Sequence, residues 1–381
     1  MNTQLALRIL GRIMDWDDDR AYDEFRRLRL MASLKYDGYR DFEAGVRFIE
    51  SLAAWLQQFK PNERSTAYEF VTDRLVYIGP GEMEKLVAQF YTNWVRPELV
   101  RAVAEELQIR PYLVNADADA LDRIAHLRRR TLFLGLSDGA RVDYLRHQNV
   151  GLISNEQVVG SAQLDSEKWQ DLLGSLRKDT DDPDARFVAV YLVDDFVATG
   201  TTFFRIDSDT GAPKGKLVKF AKSVRKAVSD LERQIFEEDY RVNVHHYAGT
   251  AAAISGLGAR IQDSAALLTE LGISSLPRLT YGIKLPESLP MSASNPEDQD
   301  FLELANRYYD PVLETSHTKV GGTDDMKLGY GGCALPLVLD HNTPNNSLPL
   351  LWAETNGADG DAPENSVPAM RPLFRRRQRH T

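Results

Sequence analysis

The chain has 381 residues, 43% of them hydrophobic, and carries a formal net charge of −10. This length and hydrophobic content predict a large core and two domains. No apolar run approaches the roughly 18 residues of a membrane span, and the N-terminus lacks a signal-peptide pattern, so we expect a cytoplasmic protein with no membrane association. The single cysteine, Cys333, excludes an intrachain disulfide and a cysteine-rich zinc site. The overall acidity argues against non-specific binding to nucleic acid.

Residues 1–128 are predicted to form an α-helical N-terminal domain. Apolar side chains recur at helical spacing: Phe25, Leu28 and Met31 fall on one side of an early segment, and residues 42–59 repeat the pattern. Proline and glycine separate the segments. Neither strand-like alternation nor an acid–base constellation is visible, so packing or partner binding is a better interpretation of this region than catalysis.

The character of the sequence changes after Arg130. Residues 131–136 (TLFLGL) form a short apolar run that predicts a strand. A small polar turn follows it and consists of Ser137, Asp138, Gly139, Ala140 and Arg141. Backbone donors together with an arginine suit a highly charged anion. A plain turn with a surface arginine is the alternative.

Residues 188–205, VAVYLVDDFVATGTTFFR, combine a strand, an acid pair and a turn. The apolar run at their start is typical of a buried strand in a parallel sheet. Asp194 and Asp195 follow directly, and the turn after them consists of Ala198, Thr199, Gly200, Thr201 and Thr202. Phe203 and Phe204 are predicted to open a helix. A turn at a helix N-terminus presents N–H groups to an anion, whereas the two carboxylates need hydroxyl groups or a metal to face.

This stretch resembles the PRPP-binding signature of type I phosphoribosyltransferases, in which an apolar strand precedes two adjacent acids and a Thr-Gly-Thr-like loop (PRPP is 5-phosphoribosyl 1-diphosphate). The resemblance implies that Asp194 and Asp195 are catalytic residues that hold the ribose hydroxyls, and that residues 198–202 cradle the 5-phosphate. Residues 137–141 would hold the pyrophosphate, with Mg²⁺ bound mainly through PRPP. The implied fold is α/β, with a twisted, mostly parallel sheet of the type I phosphoribosyltransferase type, preceded by the α-helical N-terminal domain. An ordinary strand–turn–helix with a solvated acid pair is the alternative.

Two glycine-containing segments approach nucleotide-binding motifs and fail on detail. Residues 211–217 (GAPKGKL) are one residue too short for a P-loop and end in leucine. Residues 256–258 (GLG) lack the third glycine of a dinucleotide-binding fingerprint. A turn or close helix packing is therefore the better interpretation of the second segment.

Three other segments have patterns that predict their secondary structure. Residues 152–163 mix polar and apolar side chains and are interpreted as a hairpin. Residues 217–236 are amphipathic and predict a long helix. Residues 241–248 (RVNVHHYA) alternate as a strand, on which His245 and His246 face opposite sides and do not ligate one metal together.

A second distinctive block lies at residues 327–352, KLGYGGCALPLVLDHNTPNNSLPLLW. Residues 335–339 predict a strand whose internal proline places it at an edge or a bulge. A cluster of polar side chains follows and includes His341, Asn342, Asn345 and Asn346. These side chains are candidates for reading the edge of a substrate heterocycle, and ordinary turn chemistry is the alternative.

The combination of SDGAR, VDDFVATGTT and HNTPNNSLPLLW resembles phosphoribosyltransferase-like effector proteins of bacterial anti-phage systems, including some associated with retrons. This resemblance implies a toxic enzyme that displaces pyrophosphate from PRPP, or that hydrolyses or modifies a nucleotide. The alternative is an inactive module that senses PRPP or a nucleotide and acts by binding a nucleoprotein partner. The implied partners are a reverse transcriptase with its RNA–DNA complex or a DNA-binding protein, and self-association into a homo-oligomer is a further option.

The predicted domains are a helical domain over 1–128, a phosphoribosyltransferase-like domain over 129–355 and a basic tail over 356–381. Five arginines lie near the end of this tail, namely Arg371, Arg375, Arg376, Arg377 and Arg379. Clustered arginines of this kind predict a solvated, disordered segment. An arm that contacts nucleic acid or an acidic partner is the alternative.

Overall fold

Helices and strands alternate through the middle of the chain in the computed structural model, which describes residues 3–358 and 366–376. The helices are α1 (Thr3–Ile13), α2 (Asp18–Leu34), α3 (Phe48–Leu56), α4 (Arg64–Glu69), α5 (Pro80–Phe90), α6 (Arg96–Glu106), α7 (Ala118–Arg129), α8 (Val142–Gln148), α9 (Ser166–Thr180), α10 (Lys216–Leu231), α11 (Ala251–Asp263), α12 (Ala265–Glu270), α13 (Pro296–Arg307), α14 (Ser316–Val320) and α15 (Pro349–Trp352). The strands are β1 (Val76–Ile78), β2 (Thr131–Gly135), β3 (Val158–Val159), β4 (Phe187–Val197), β5 (Arg205–Ile206), β6 (Pro213–Lys214), β7 (Phe236–Gly249), β8 (Arg278–Lys284) and β9 (Leu337–Leu339).

The fold divides into two compact units. The first unit comprises the residues up to Met83 and those from Glu287 onward, and the second runs from Glu84 to Pro286. The division falls within α5, and the first unit takes in residues from both ends of the chain. Domain boundaries after residues 128 and 355 stay a prediction. Over the described residues, none of the helices is both long and apolar enough to cross a membrane.

The second unit is built on a five-stranded sheet with the strand order β3-β2-β4-β7-β8, and every neighbouring pair is parallel. Strand β4 is central, and its apolar side chains, such as Val190 and Leu192, are fully buried. Trp169 of α9 and Phe220 of α10 belong to the same core. The structure thus confirms the predicted α/β class with a mostly parallel sheet. The carboxyl ends of the strands share one edge, which is where ligands bind in open α/β sheets.

Two local predictions in the second unit are wrong. Residues 152–163 do not form a hairpin, because β3 pairs with β2 in parallel. Phe203 and Phe204 lie in a turn rather than in a helix. Their N–H groups both donate to Gly200 O, which closes a single turn before the chain extends into the antiparallel hairpin β5–β6. The helix begins only at Lys216.

The first unit is helical in its N-terminal part, as predicted, and its core is rich in aromatic side chains. Phe48 and Trp55 of α3 are fully buried there. A two-stranded parallel sheet also pairs β1 with β9, with Val76 opposite Leu337. This strand corrects the expectation that residues 1–128 contain no strand. Three residues are too few to show a period of two, and the partner strand lies far along the chain.

The segment 366–376 differs from the expected disordered tail. Leu373 and Phe374 are fully buried, and their N–H groups donate to Leu351 O at 3.1 and 2.8 Å. Arg375 forms ion pairs with Glu43 and Glu354. The apolar residues between the arginines supply buried surface that outweighs the solvation of the charges. Two of the arginines noted above, at 377 and 379, lie outside the described residues.

Candidate functional site

Loops from neighbouring strands leave the carboxyl edge of the five-stranded sheet side by side. Residues 136–141 follow β2, residues 198–204 follow β4, and Thr250 follows β7 as the N-cap of α11. Leu136 N donates to Val193 O at 2.8 Å, so the ladder between β2 and β4 continues into the first loop. The topology therefore brings both predicted anion-binding loops to one place.

The acid pair lies inside β4, which continues to Val197 instead of ending at Val193 as predicted. Asp194 is 4% exposed. Its Oδ1 accepts a hydrogen bond from Ser137 Oγ, and its Oδ2 lies 2.5 Å from Lys216 Nζ. Both oxygens of this buried carboxylate are therefore engaged by protein groups, one from the loop after β2 and one from the first residue of α10.

Asp195 has different surroundings, because adjacent residues of a strand point to opposite faces. It is half-buried, and its Oδ1 lies 3.5 Å from Ser137 Oγ. Ser137 thus contacts both acids. The prediction that the two acids share one role stays a prediction, although their environments differ.

Burial raises the pKa of Asp194 to about 6, because the charged carboxylate loses its contacts with water. The Lys216 ammonium opposes this rise in pKa, and the Asp195 carboxylate adds to it. His246 stands opposite Asp194 in β7, and burial lowers the pKa of this histidine to about 3. The imidazole is therefore neutral near pH 7, and Lys216 is the cation that balances Asp194.

The two adjacent histidines face opposite sides of β7, as predicted. His245 Nδ1 lies 2.9 Å from Thr280 Oγ1, and its ring contacts Phe90. His246 instead makes ring contacts with Phe203 and Tyr281. Burial lowers the pKa of His245 to about 3 as well, so both rings act as neutral core groups.

The backbone of residues 198–204 turns its carbonyl groups into the protein. Side chains donate to three of them, namely Thr250 Oγ1 to Ala198 O (2.7 Å), Arg260 Nη2 to Thr199 O (2.5 Å) and Arg205 Nη1 to Thr201 O (3.1 Å). Three further carbonyl oxygens, Gly200 O, Thr202 O and Phe203 O, accept hydrogen bonds from backbone N–H groups. The loop therefore offers few acceptors that would repel an anion.

The N–H groups of the same loop remain available. Within the described part of the chain, those of Thr199, Gly200 and Thr202 donate to no protein acceptor. The N–H of Thr201, between them, donates to Thr199 Oγ1 at 3.4 Å. Successive N–H groups in a turn, such as those of Thr199 and Gly200, suit a bound anion. Gly200 has a φ of +72°, and a Cβ there would lie 2.9 Å from Arg260 Nη2. Only glycine fits this geometry without strain.

The loop 137–141 is anchored to β7, which lies two strands away from β2 in the sheet. Tyr247 Oη donates to Ala140 O at 3.0 Å, and Ala140 is fully buried. Arg141 adopts a left-handed conformation with a φ of +49°, which is uncommon for a residue with a side chain. Strained residues cluster at ligand sites, so this geometry favours a binding role for the loop.

The late polar cluster belongs to the first unit. His341 Nδ1 lies 3.0 Å from Oδ1 of the buried Asp340. Asn342 N donates to Leu339 O, and Asn346 Nδ2 donates to Tyr330 O at 2.9 Å. The backbone N–H of Tyr330 also donates to Asn345 O at 2.7 Å. Asn342 and Asn345 are thus held through backbone groups and Asn346 through its side chain, and a role of these residues in reading a substrate base stays a prediction.

Lys216, Thr250 and Arg260 complete the site and are not candidates by the sequence criteria above. The sequence contains a pattern that points to Lys216. Residues 211–217 (GAPKGKL) place a Gly-Lys pair at the start of a helix, although the segment does not match a P-loop. Thr250 and Arg260 act on loop carbonyls from α11, far along the chain from the loop, so no local pattern reveals them.

The family model described as PRTase-CE matches residues 52–376. No curated protein matches the chain, and no solved structure does. The match covers well over half of the chain and agrees with the resemblance carried by the strand, acid pair and Thr-Gly loop. The chain therefore belongs to the PRTase-CE family and is a phosphoribosyltransferase-like protein.

Proposed function

We propose that the protein is an enzyme that binds PRPP with Mg²⁺ and displaces pyrophosphate from C1 of the ribose. The observation that carries this proposal is the loop 198–204, whose carbonyls are tied back while several N–H groups remain available. A phosphate monoester suits such a loop. Asp195 beside it is a half-buried carboxylate and suits the hydroxyl groups of a sugar.

The loop 137–141 also contacts the acid pair, through the hydrogen bond from Ser137 to Asp194. We assign it the pyrophosphate group of PRPP. Arg141 supplies a guanidinium, whose fixed fork of donors matches phosphate oxygens. The left-handed backbone of Arg141 supports the assignment, because a strained residue persists where the surrounding structure holds it.

Mg²⁺ fits this arrangement as an ion that arrives with the ligand. Among residues 3–358 and 366–376, no group of three or more His, Cys, Asp and Glu side chains is placed to hold a metal. Mg²⁺ at phosphates keeps several waters and needs only one or two carboxylates, and Asp195 is the acid best placed to be one. The ion would offset negative charge on the departing pyrophosphate.

The reaction breaks the bond between C1 and the pyrophosphate oxygen and forms a bond between C1 and an acceptor nucleophile. Pyrophosphate leaves with the electron pair. Positive charge develops on the sugar, and the Asp195 carboxylate stabilises it electrostatically. Water as the nucleophile would make the protein a hydrolase, and a nucleotide base or another acceptor would make it a transferase.

The second candidate function is that of a module that senses PRPP or a nucleotide without chemistry. The engagement of both Asp194 oxygens by Ser137 and Lys216 favours it, because only one acid of the pair is then half-exposed. For either function we propose a role as an effector in bacterial anti-phage defence, together with a nucleoprotein partner. The resemblance of the motifs to such effectors supports this role.

Calorimetric titration with PRPP and Mg²⁺, repeated with ribose 5-phosphate and with nucleotides, tests the proposal. We expect saturable PRPP binding that Asp195→Asn abolishes. Asp239→Asn is the matched control, since this exposed acid lies near the start of β7, away from the carboxyl edge. Pyrophosphate release would then identify a transferase or hydrolase, whereas binding without release indicates the sensor. Absence of PRPP binding by the wild type would contradict the proposal.

A further inference from the structure

Lys216 is a cation in direct contact with Asp194, and neither proposed function gives it a role toward the ligand. Its Nζ lies 2.5 Å from Asp194 Oδ2, and its side chain is 23% exposed. An ammonium group has three hydrogen-bond donors. Over residues 3–358 and 366–376, Asp194 is the acceptor that the structure provides for this ammonium. Two donors therefore remain for a ligand.

The fold fixes the backbone of Lys216 beside the Thr-Gly loop. Lys216 N donates to Thr202 O at 3.1 Å, and Leu217 N donates to Phe203 O at 3.1 Å. Gly215 has a φ of +119°, and a Cβ there would lie 2.3 Å from Phe203 O. The close approach of the two backbones therefore requires glycine before the lysine. Backbone hydrogen bonds therefore join the start of α10 directly to the loop 198–204.

Asp194 is suited to hold this lysine rather than to bind a ligand itself. Its side chain is 6% exposed, and both of its oxygens already accept hydrogen bonds, from Ser137 and Lys216. A buried carboxylate that loses such partners is strongly destabilised. A ligand that recruited Asp194 would have to remove one of them. A ligand that approaches Lys216, whose side chain is 23% exposed, does not have to remove a partner of Asp194.

We infer that Lys216 contacts an anionic oxygen of a phosphate group of the ligand, and that Asp194 is a positioning residue that holds the ammonium in place. This inference rests on the proposed function, and it divides the roles of the acid pair. Asp195 faces the sugar, whereas Asp194 acts on the ligand through Lys216. The ligand class is thereby a phosphorylated sugar, since an ammonium at this position favours an anion over a neutral sugar.

The test compares Lys216→Gln with Lys219→Met in titrations with PRPP and Mg²⁺ and with ribose 5-phosphate. Glutamine keeps a donor for Asp194 and removes the charge, and urea unfolding of the variant checks that it is folded before titration. Lys219 is exposed on the same helix and serves as the control. We expect Lys216→Gln to weaken the binding of both ligands by roughly 10-fold or more, as for the loss of one charge-assisted hydrogen bond. Lys219→Met should bind like the wild type.

The salt dependence of binding provides a readout that a merely structural lysine would not move. Removal of a contacting charge flattens the dependence of affinity on ionic strength, because screened attraction is lost. Lys216→Arg should keep this dependence and part of the affinity. Wild-type affinity and salt dependence in Lys216→Gln would overturn the inference, even if Asp195→Asn abolishes binding and the proposed function stands.

Failure of the proposed function can also be distinguished from failure of the inference about Lys216. If the wild type binds no PRPP, the proposed function is wrong, and the same variants are titrated with inorganic pyrophosphate and with a nucleoside monophosphate. Weaker binding of those anions by Lys216→Gln than by Lys219→Met would still support the phosphate contact. No binding of any phosphate-bearing probe by the folded wild type would overturn it.

Discussion

Ser137 donates a hydrogen bond to the carboxylate of Asp194, so that the loop following β2 contacts a side chain of the neighbouring strand β4. The contact links the segment proposed for pyrophosphate to the acid pair. Lys216 occupies the other oxygen of the same carboxylate. Asp194 is therefore a junction between β2, β4 and α10, and changes at any of its partners should alter both stability and binding.

Ser137→Ala removes one hydrogen bond to a buried carboxylate. We expect the free energy of unfolding to fall by about 1–3 kcal/mol, because the hydrogen bond is made to a charged group. Urea unfolding measures this change. Ser208→Ala is the control, since Ser208 is exposed in the β5–β6 turn and its hydroxyl donates to the exposed Asp209. Equal stability of the two variants would mean that Ser137 does not support Asp194.

Gly215→Ala tests the close approach that positions Lys216. The new Cβ would lie 2.3 Å from Phe203 O, at a φ of +119°. We expect a loss of about 2–4 kcal/mol in stability, together with weaker PRPP binding, because the helix start must move away from the loop.

Gly211→Ala provides the comparison for that variant. Gly211 also has a positive φ, of +66°, but a Cβ there meets nothing within 4 Å. Only the left-handed backbone penalty of about 1–2 kcal/mol applies, and PRPP binding should be unchanged. If the two glycine variants lose the same stability and bind PRPP equally well, steric contact with Phe203 is not what fixes the position of Lys216.

The raised pKa of Asp194 predicts a dependence of stability on pH. The pKa of this carboxyl is about 6 in the folded protein against 3.8 for an ordinary aspartate. The folded state therefore holds the proton more tightly, and ionisation of Asp194 lowers stability as the pH rises through about 6. The surrounding titratable groups are Lys216, Asp195 and His246.

Comparison with Asp194→Asn isolates this effect. We expect the free energy of unfolding of the wild type, relative to the variant, to increase by about 1–3 kcal/mol when the pH falls from about 8 to about 4. The low pKa of His246 acts in the opposite sense in both proteins and cancels. Urea unfolding at several pH values measures the difference, and a difference that does not vary with pH would contradict a raised pKa.

Phe374→Ala tests the structural role of the C-terminal segment. Phe374 is fully buried and makes ring contacts with Tyr36 and Phe48. We expect a loss of about 3–5 kcal/mol, as for the truncation of a buried phenylalanine. Arg371→Ala at an exposed position should change stability by only about 0.5 kcal/mol. Unchanged unfolding of the Phe374 variant would restore the disordered-tail interpretation.

The local parts of the site could be read from the sequence. The apolar run before Asp194 indicates a buried parallel strand, and the small residues after it indicate an anion-binding turn, because burial and turn chemistry act over a few consecutive residues. The α/β class, the helical N-terminal part and the family resemblance follow from such local patterns. The opposite faces of His245 and His246 follow from the period of a strand.

The tertiary structure decided which groups meet. Lys216 reaches Asp194 only because the β5–β6 hairpin returns the chain and Gly215 allows two backbones to touch. Strand β1 exists only because β9 pairs with it, and Phe374 is ordered because the core of the first unit receives its ring. These contacts join residues that are distant along the chain, and their free energy depends on the three-dimensional path of the backbone, which no local period or turn signal encodes.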